Sequence, residues 1–362
     1  MIHYENDMSL EDLGYNDRLD KLWMEGNFKE FEIGRVVSEH KERYVVKTES
    51  GELEAEITGN LRFSANGRED FPAVGDWVAL TLYDPDFSVI HGILPRFSVI
   101  SRQAAGQTGE KQIIAANVDY AFLVQAVDRD FNINRLERYL TICHSSKVSP
   151  IIILTKTDLV NGQRIAEIAE SINHRIKNIP VIAVSNETQK GYEVLKKWIV
   201  KGKTYCMLGS SGVGKSTLLN NLCGESVMKT GTISQSSNRG RHITSYRELI
   251  ILRERGMLID NPGMREVGIA DMAVGLETTF HRIAGFSLVC KFKDCTHTNE
   301  PGCSVLEAVE KGEIDRASYE NFLKMKKENA YFESTVEERR KKERSFGKMI
   351  KNYKKDIKRN GF

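Results

Sequence analysis

Between residues 30 and 100 the apolar positions come in short runs broken by turn signals. Phe31–Val37, Tyr44–Thr48, Leu53–Ile57, Asp76–Leu82 and Val89–Leu94 mix β-branched and aromatic residues, and Glu49-Ser50-Gly51 separates two of them. Five such runs within roughly seventy residues predict a small β-barrel of the OB type. Upstream, residues 1–28 predict no more than a short helical extension.

Past residue 112 the period changes. Val118–Ala126, Ile151–Leu154, Pro180–Val184, Tyr205–Leu208 and Met257–Ile259 read as buried strands. Asn134–Cys143, Gln163–Asn173, Tyr192–Ile199 and Thr217–Cys223 carry helical patterns between them. Strand–helix alternation of this kind builds a parallel sheet covered on both faces. Arg102–Gln112, rich in Gln and Gly, reads as a linker, and from residue 273 onward the chain turns helical. The expectation is a multidomain protein. Residues 1–104 form the OB-type β-barrel with its extension, 105–272 a central α/β nucleotide domain, and 273–362 a C-terminal α-helical domain.

Composition adds constraints. The chain is 40% apolar and 28% charged with a net charge of +2, so no global field points to nucleic acid, and any basic surface must be local. One such place is the tail from Glu337 to Phe362, where eleven Lys and Arg face four Asp and Glu. It reads equally as a solvated helix or as a phosphate-backbone contact. Met1–Asp20 is acidic without an apolar core, and no apolar run approaches the ~20 residues that span a bilayer, so a cytoplasmic protein with no membrane contact is expected. Cys143, Cys206 and Cys223 stand alone in apolar segments and read as small buried hydrophobes.

Cys290, Cys295, His297 and Cys303 are different, clustering within fourteen residues. Three thiolates and an imidazole make a closed tetrahedral set, which fits one structural zinc. The nucleotide chemistry lies upstream. Gly209-Ser210-Ser211-Gly212-Val213-Gly214-Lys215-Ser216 matches GxxxxGK[ST] between an apolar strand and a helix that opens through Thr217. Its backbone N–H groups would cradle phosphates, Lys215 would reach the β and γ oxygens, and Ser216 would ligate magnesium. Thr155-Lys156-Thr157-Asp158 follows a strand, where a guanine-reading loop belongs. Asp158 would accept from the guanine N–H groups and the Lys156 stem would lie along the base. Thr155, standing where an asparagine is usual, is expected to lose an amide contact. Ser185-Asn186 would support the base. Asp260-Asn261-Pro262-Gly263 ends another strand, with Asp260 placed for magnesium and the Gly263 N–H for the γ-phosphate. In the polar stretch Arg239–Thr244, Thr244 is the candidate magnesium ligand and His242 the candidate for positioning water. Met264, next to the sensor, cannot polarise water, so slow intrinsic hydrolysis is expected.

The order of these motifs is unusual. The guanine loop precedes the phosphate loop, and the γ-phosphate sensor closes the domain, directly before the cysteine cluster. Permuted order, phosphate loop, Gly240-Arg241-His242 switch, DxPG sensor and C-x4-C-x-H-x5-C cluster together resemble the ribosome small-subunit-dependent GTPase A family (RsgA). The resemblance covers residues 30–310. It implies an OB domain, a permuted GTPase and a zinc-bearing C-terminal domain. It further implies GTP hydrolysis stimulated by the small ribosomal subunit during late maturation of that subunit, with rRNA as a contact, and His242 as the residue assisting hydrolysis. Three positions depart from the family pattern: Ile243 stands for a Thr, leaving magnesium to Thr244; Asn261 stands for the Thr of DTPG; and Asn186 stands for an Ala. A monomer is expected, with both flanking domains gripping rRNA and the nucleotide state setting the geometry between them. The competing readings are a GTP-bound RNA-binding scaffold with negligible turnover, which Met264 favours, and an ATP-using enzyme, which Asp158 disfavours.

Overall fold

The structure, a computed structural model, describes residues 8–26, 28–40, 43–103, 111–128, 131–224, 247–260 and 273–333. The first helix, α1 (Asp17–Glu25), is capped by Asn16, whose side chain accepts from the Arg18 and Leu19 amides. The strands β1 (Glu32–His40), β2 (Arg43–Thr48) and β3 (Gly51–Ile57) follow, then α2 (Gly59–Ser64), β4 (Trp77–Asp84) and β5 (Phe87–Ile93). Each predicted barrel strand is therefore present, longer by one or two residues. They pair in the order β1-β2-β3-β5-β4, and β4 returns to β1 to close the barrel. All contacts are antiparallel except β3–β5. Alternate side chains point inward, and Val36, Val46, Val78, Leu80 and Ile90 are fully buried there.

A hairpin, β6 (Val99–Gln103) and β7 (Lys111–Ala116), comes next. This corrects the reading of Arg102–Gln112 as a linker: Arg102 pairs with Gln112 and Gln103 with Lys111. The rest of the chain runs β8 (Tyr120–Ala126), α3 (Ile133–Ser145), β9 (Ser149–Thr155), α4 (Gly162–Arg175), β10 (Val181–Ala183), α5 (Tyr192–Lys196), β11 (Thr204–Leu208), α6 (Lys215–Cys223), β12 (Arg247–Ile251) and β13 (Met257–Asp260). The α5 helix is shorter than its pattern predicts. The Tyr205 hydroxyl donates to Trp198 O at 2.6 Å and accepts from the Val200 amide at 2.9 Å, so a side chain takes over the backbone groups that would extend the helix.

The sheet order β10-β9-β8-β11-β13-β12 is parallel except for β12. The chain moves outward from β8 to β10 and then returns to β11, so the strand order reverses between β8 and β11. Ligands of open α/β sheets bind at such a point, beyond the carboxyl ends of the strands. The sheet does not stop at β12. Its outer edge pairs antiparallel with β1 of the barrel, Ser38 opposite Glu248 and Glu39 opposite Arg247, giving one eleven-stranded sheet. Arg247 reinforces the seam, donating from Nη1 to Glu39 Oε2 at 2.8 Å and to Ile113 O at 2.9 Å.

Behind this seam lies Arg35 of β1, only 2% exposed. Its guanidinium donates to Leu13 O in the N-terminal extension, to Gly75 O in the barrel at 3.3 Å, to Asn117 O at 3.4 Å and to Thr204 Oγ1 on β11 at 2.7 Å. It lies over the Trp77 ring, 5.5 Å from the centroid. Burial draws its pKa down to about 10, against the pull of Asp119 and Asp76, so it stays charged at neutral pH. The N-terminal extension is thereby part of the core: Leu13, Leu19 and Trp23 pack into it, and Asp12 pairs with Lys201 at 2.6 Å.

The C-terminal region holds α7 (Ala273–Thr279), α8 (His281–Ser287), α9 (Ser304–Glu310) and α10 (Arg316–Glu333). Of the isolated cysteines, Cys143 and Cys206 are buried as expected, whereas Cys223 is half-buried at the end of α6. No helix among the described residues is long and apolar enough to cross a membrane. The basic tail lies outside them.

Arg35→Met keeps the apolar stem and removes every donor. Because three carbonyls and a hydroxyl then lose a charged donor inside the core, and only Gly75 O keeps a second one from Asn117 Nδ2, urea unfolding is expected to show a loss of about 3 kcal/mol or more. A loss under about 1 kcal/mol would show that the junction stands without the charge.

Candidate nucleotide site and metal centre

The phosphate loop occupies the place where the sheet order reverses. β11 ends at Leu208, and α6 begins at Lys215 behind Gly214, which has φ +94°. A Cβ on Gly209 would sit 2.4 Å from Val124 O of β8, so only glycine lets the loop leave β11 this close to its neighbour. The Lys215 ammonium donates to Gly209 O and Ser210 O, each at 2.6 Å. These bonds fold the lysine back over the loop and hold its charge at the mouth. Ser210 is half-buried and Ser211 and Gly212 are exposed, while Val213 anchors the loop in the core. Ser216 and Thr217 lie in the first turn of α6, where backbone N–H groups are unpaired within the helix. Asp260 ends β13, beside β11, and faces Glu248 across the β12–β13 pair. Burial, with Glu52 and Asp260 nearby, raises the Glu248 carboxyl above its ordinary range.

The guanine loop is tied to the phosphate loop by side chains. Thr155, fully buried at the end of β9, donates from Oγ1 to Val213 O at 2.6 Å. The Thr155 hydroxyl thus ties the end of β9 to the phosphate loop, a bond that its shorter side chain makes because β9 brings it within reach. Lys156 adopts a left-handed backbone, φ 60°, and its ammonium pairs with Asp128 at 2.9 Å. Asp158 is exposed, and its carboxylate accepts from the buried Ser185 hydroxyl at 2.6 Å. One carboxylate oxygen is therefore oriented from behind. Asn186 serves more than base support. Its Nδ2 donates to Gly214 O at 3.0 Å, its Oδ1 accepts from Tyr192 at 2.9 Å, and its carbonyl accepts from Asn221 of α6 at 3.0 Å. Burial raises Tyr192 to about 12, so its phenol remains a donor across the physiological range.

His242, Thr244, Asn261, Gly263 and Met264 lie outside the described residues. Of the expected magnesium ligands, Ser216 and Asp260 are placed. The residues that sequence reasoning missed are Asp128 and Tyr192, which fit no motif and act through their contacts to Lys156 and to Asn186 and Asn221.

The metal centre is built on the loop between α8 and α9. Cys303 is the N-cap residue of α9, and His297 takes a left-handed conformation, φ 64°, that turns its ring inward. The ligand atoms of Cys290, Cys295, His297 and Cys303 all lie within 4.8 Å of one another. A tetrahedral zinc with Zn–S near 2.3 Å and Zn–N near 2.0–2.1 Å requires edges of about 3.8 Å between sulfurs and about 3.6 Å between sulfur and nitrogen. Cys290 and Cys303 Sγ are 4.0 Å apart, and His297 Nδ1 lies 3.7 Å from Cys290 Sγ and 3.5 Å from Cys303 Sγ. The donor set therefore fits a zinc ion. Tyr319 of α10 donates to His297 O at 2.5 Å, fixing the ligand loop to the helix behind it.

The family profile described as RsgA GTPase matches residues 93–270. The small ribosomal subunit biogenesis GTPase RsgA 1 of Bacteroides thetaiotaomicron is 38% identical over 357 residues, 98% of this chain and 99% of that relative. The chain belongs to the RsgA GTPase family. It is accordingly a GTP hydrolase, with the barrel, permuted nucleotide domain and cysteine–histidine centre that the motif order led one to expect. Among solved structures, YjeQ from Thermotoga maritima superposes with a TM-score of 0.61 at 27% identity, over 83% of this chain and 98% of that one. YloQ, described as a circularly permuted GTPase, shares the fold with a TM-score of 0.61 at 24% identity, over 86% of this chain and 99% of that one.

Two results are expected from this geometry. Asp158→Asn replaces an acceptor by a donor, so affinity should move from guanine toward xanthine nucleotides, read by competition binding of GDP and XDP. Unchanged GDP preference would remove Asp158 from the base site. Cys303→Ser should cost at least tenfold in zinc affinity, read by metal analysis after chelator challenge, and lower the melting temperature of the C-terminal region. Retention of one zinc equivalent under the same challenge would contradict the ligand set.

Proposed function

We propose that this RsgA-family protein hydrolyses GTP when it docks on the small ribosomal subunit, acting late in maturation of that subunit and contacting its rRNA as a cytoplasmic monomer. The observation that carries this reading is the position of the sensor strand. β13 ends at Asp260 beside β11, the strand that leads into Gly209–Ser216, and the helices that carry the cysteine–histidine centre start only a dozen residues later at Ala273. In this reading a change at the γ-phosphate, sensed just after Asp260, reaches the zinc domain through the twelve residues of sequence that separate Asp260 from Ala273.

The roles within the site follow the chemistry of the side chains. Lys215 neutralises the β and γ oxygens, and the loop from Gly209 to Gly214 presents its amides to them. Thr155, Lys156, Asp158 and Ser185 select guanine, with Thr217 closing the phosphate end. Ser216, Thr244 and Asp260 would hold magnesium, which when bound screens the charge that develops between the β and γ phosphates. Gly263 senses the γ-phosphate and His242 orients the attacking water. Cys290, Cys295, His297 and Cys303 hold one structural zinc with no open coordination position, so zinc serves folding of the docking domain.

The expected behaviour is slow intrinsic hydrolysis that rises sharply with purified small subunits and not with large ones, with Lys215→Ala as the inactive control. Tight GTP binding with no acceleration by small subunits would favour the alternative of a GTP-bound RNA-binding scaffold.

A further inference from the structure

Helix α3 touches two parts of the molecule at once. On its first turn, Arg135 donates from Nη1 to Ser210 Oγ at 3.0 Å. Ser210 is the second residue of the phosphate loop, and its carbonyl is one of the two that hold Lys215. Two residues along, on the opposite side of a helix that turns about 100° per residue, stands Glu137. Its side chain is 3% exposed, and both oxygens are used. Oε1 accepts from Arg175 Nε at 3.1 Å and Ser318 Oγ at 2.8 Å; Oε2 accepts from Arg175 Nη2 at 2.6 Å and Asn321 Nδ2 at 2.7 Å. The next residue, Arg138, pairs with Glu328 at 2.6 Å.

Ser318, Asn321 and Glu328 all belong to α10, the helix that also holds the zinc-ligand loop through Tyr319. A second zinc-domain helix, α7, lies still closer. A Cβ on Gly275 would stand 2.3 Å from Thr141 O and 2.2 Å from Ser145 Oγ, so α3 and α7 meet at backbone distance. A buried carboxylate with four donors and a helix crossing this tight do not slide. Displacement of α7 and α10 therefore carries α3 with it, and Arg135 is the point where α3 meets the phosphate loop.

We propose that Arg135 is a positioning residue of the GTPase reaction, and that α3 transmits movement of the zinc domain to the phosphate loop through it. The proposal rests on residues 209–216 being the phosphate site and on the small subunit being the stimulator. Arg135 acts through Ser210, which sets the loop carbonyls that aim Lys215. Its effect belongs in the catalytic step and not in the holding of nucleotide.

The test is steady-state hydrolysis with and without saturating small subunits, alongside the Kd for a fluorescent GDP analogue. Arg135→Ala is expected to lower the stimulated kcat about tenfold while Kd stays within about twofold, the pattern of a lost transition-state contact. Arg135→Lys keeps a donor within reach of Ser210 and should recover part of the rate. Ser210→Ala removes only the hydroxyl, should reproduce the loss, and should add nothing when combined with Arg135→Ala. For the relay, Glu328→Ala on α10 should reduce stimulation and leave basal turnover unchanged. A wild-type stimulated kcat in Arg135→Ala overturns the proposal, as does a loss shared equally by kcat, Kd and melting temperature with no recovery in Arg135→Lys. If the wild-type protein shows no stimulation, the functional reading fails on its own. The positioning role of Arg135 is then still decided by whether its effect on basal kcat is non-additive with that of Ser210→Ala.

Discussion

The buried guanidinium of Arg35 is the constraint on which the arrangement of this protein depends. A full charge in the core is tolerated only where its donors are met, and here the acceptors come from four separate stretches: the N-terminal extension, the barrel, the end of the β6–β7 hairpin, and the strand that feeds the phosphate loop. None of these can move away without stranding the charge. The β1–β12 ladder adds backbone hydrogen bonds to the same junction. Barrel and nucleotide sheet are thus joined into one body, and the proposed nucleotide-driven motion falls to the other side of the domain, where the zinc-bearing helices follow β13 in sequence.

Within that body the nucleotide site is a set of loops tied to one another. Thr155 and Asn186 both bond carbonyls of the phosphate loop, so the candidate base-reading and phosphate-holding segments share a frame. The guanine loop and the phosphate loop lie on strands separated in sequence by β10 and two helices, and side chains from β9 and the Ser185-Asn186 turn close the gap. The metal centre applies the same economy: four ligands within fourteen residues, with a tyrosine from α10 holding the loop in register.

What the sequence made legible were features written in local pattern. Five alternating runs gave five barrel strands, and the glycine spacing of the phosphate loop and the cysteine–histidine spacing needed no long-range knowledge. Features that depend on distant partners were hidden. Arg35 sits inside a strand, where a charge reads as an outward-facing position; nothing local shows that its acceptors lie as far away as Thr204. The β6–β7 hairpin was masked by its Gln- and Gly-rich turn region, and β12 by the charged pair Arg247-Glu248, whose place at the seam is decided by β1. The tie from Thr155 to Val213 was equally hidden, because the two residues are far apart in sequence and only the fold brings them within a hydrogen bond.

The most direct test of a fixed barrel and a responsive zinc side is amide hydrogen exchange on the full chain, bound first to GDP and then to a non-hydrolysable GTP analogue. The β1 and β12 amides should be equally protected in both states, with nucleotide-dependent changes confined to the phosphate loop, α3 and the helices α7 and α10. Exchange that changes along β1 and β12 while α3, α7 and α10 stay the same would contradict it, and would place the moving joint at the barrel instead.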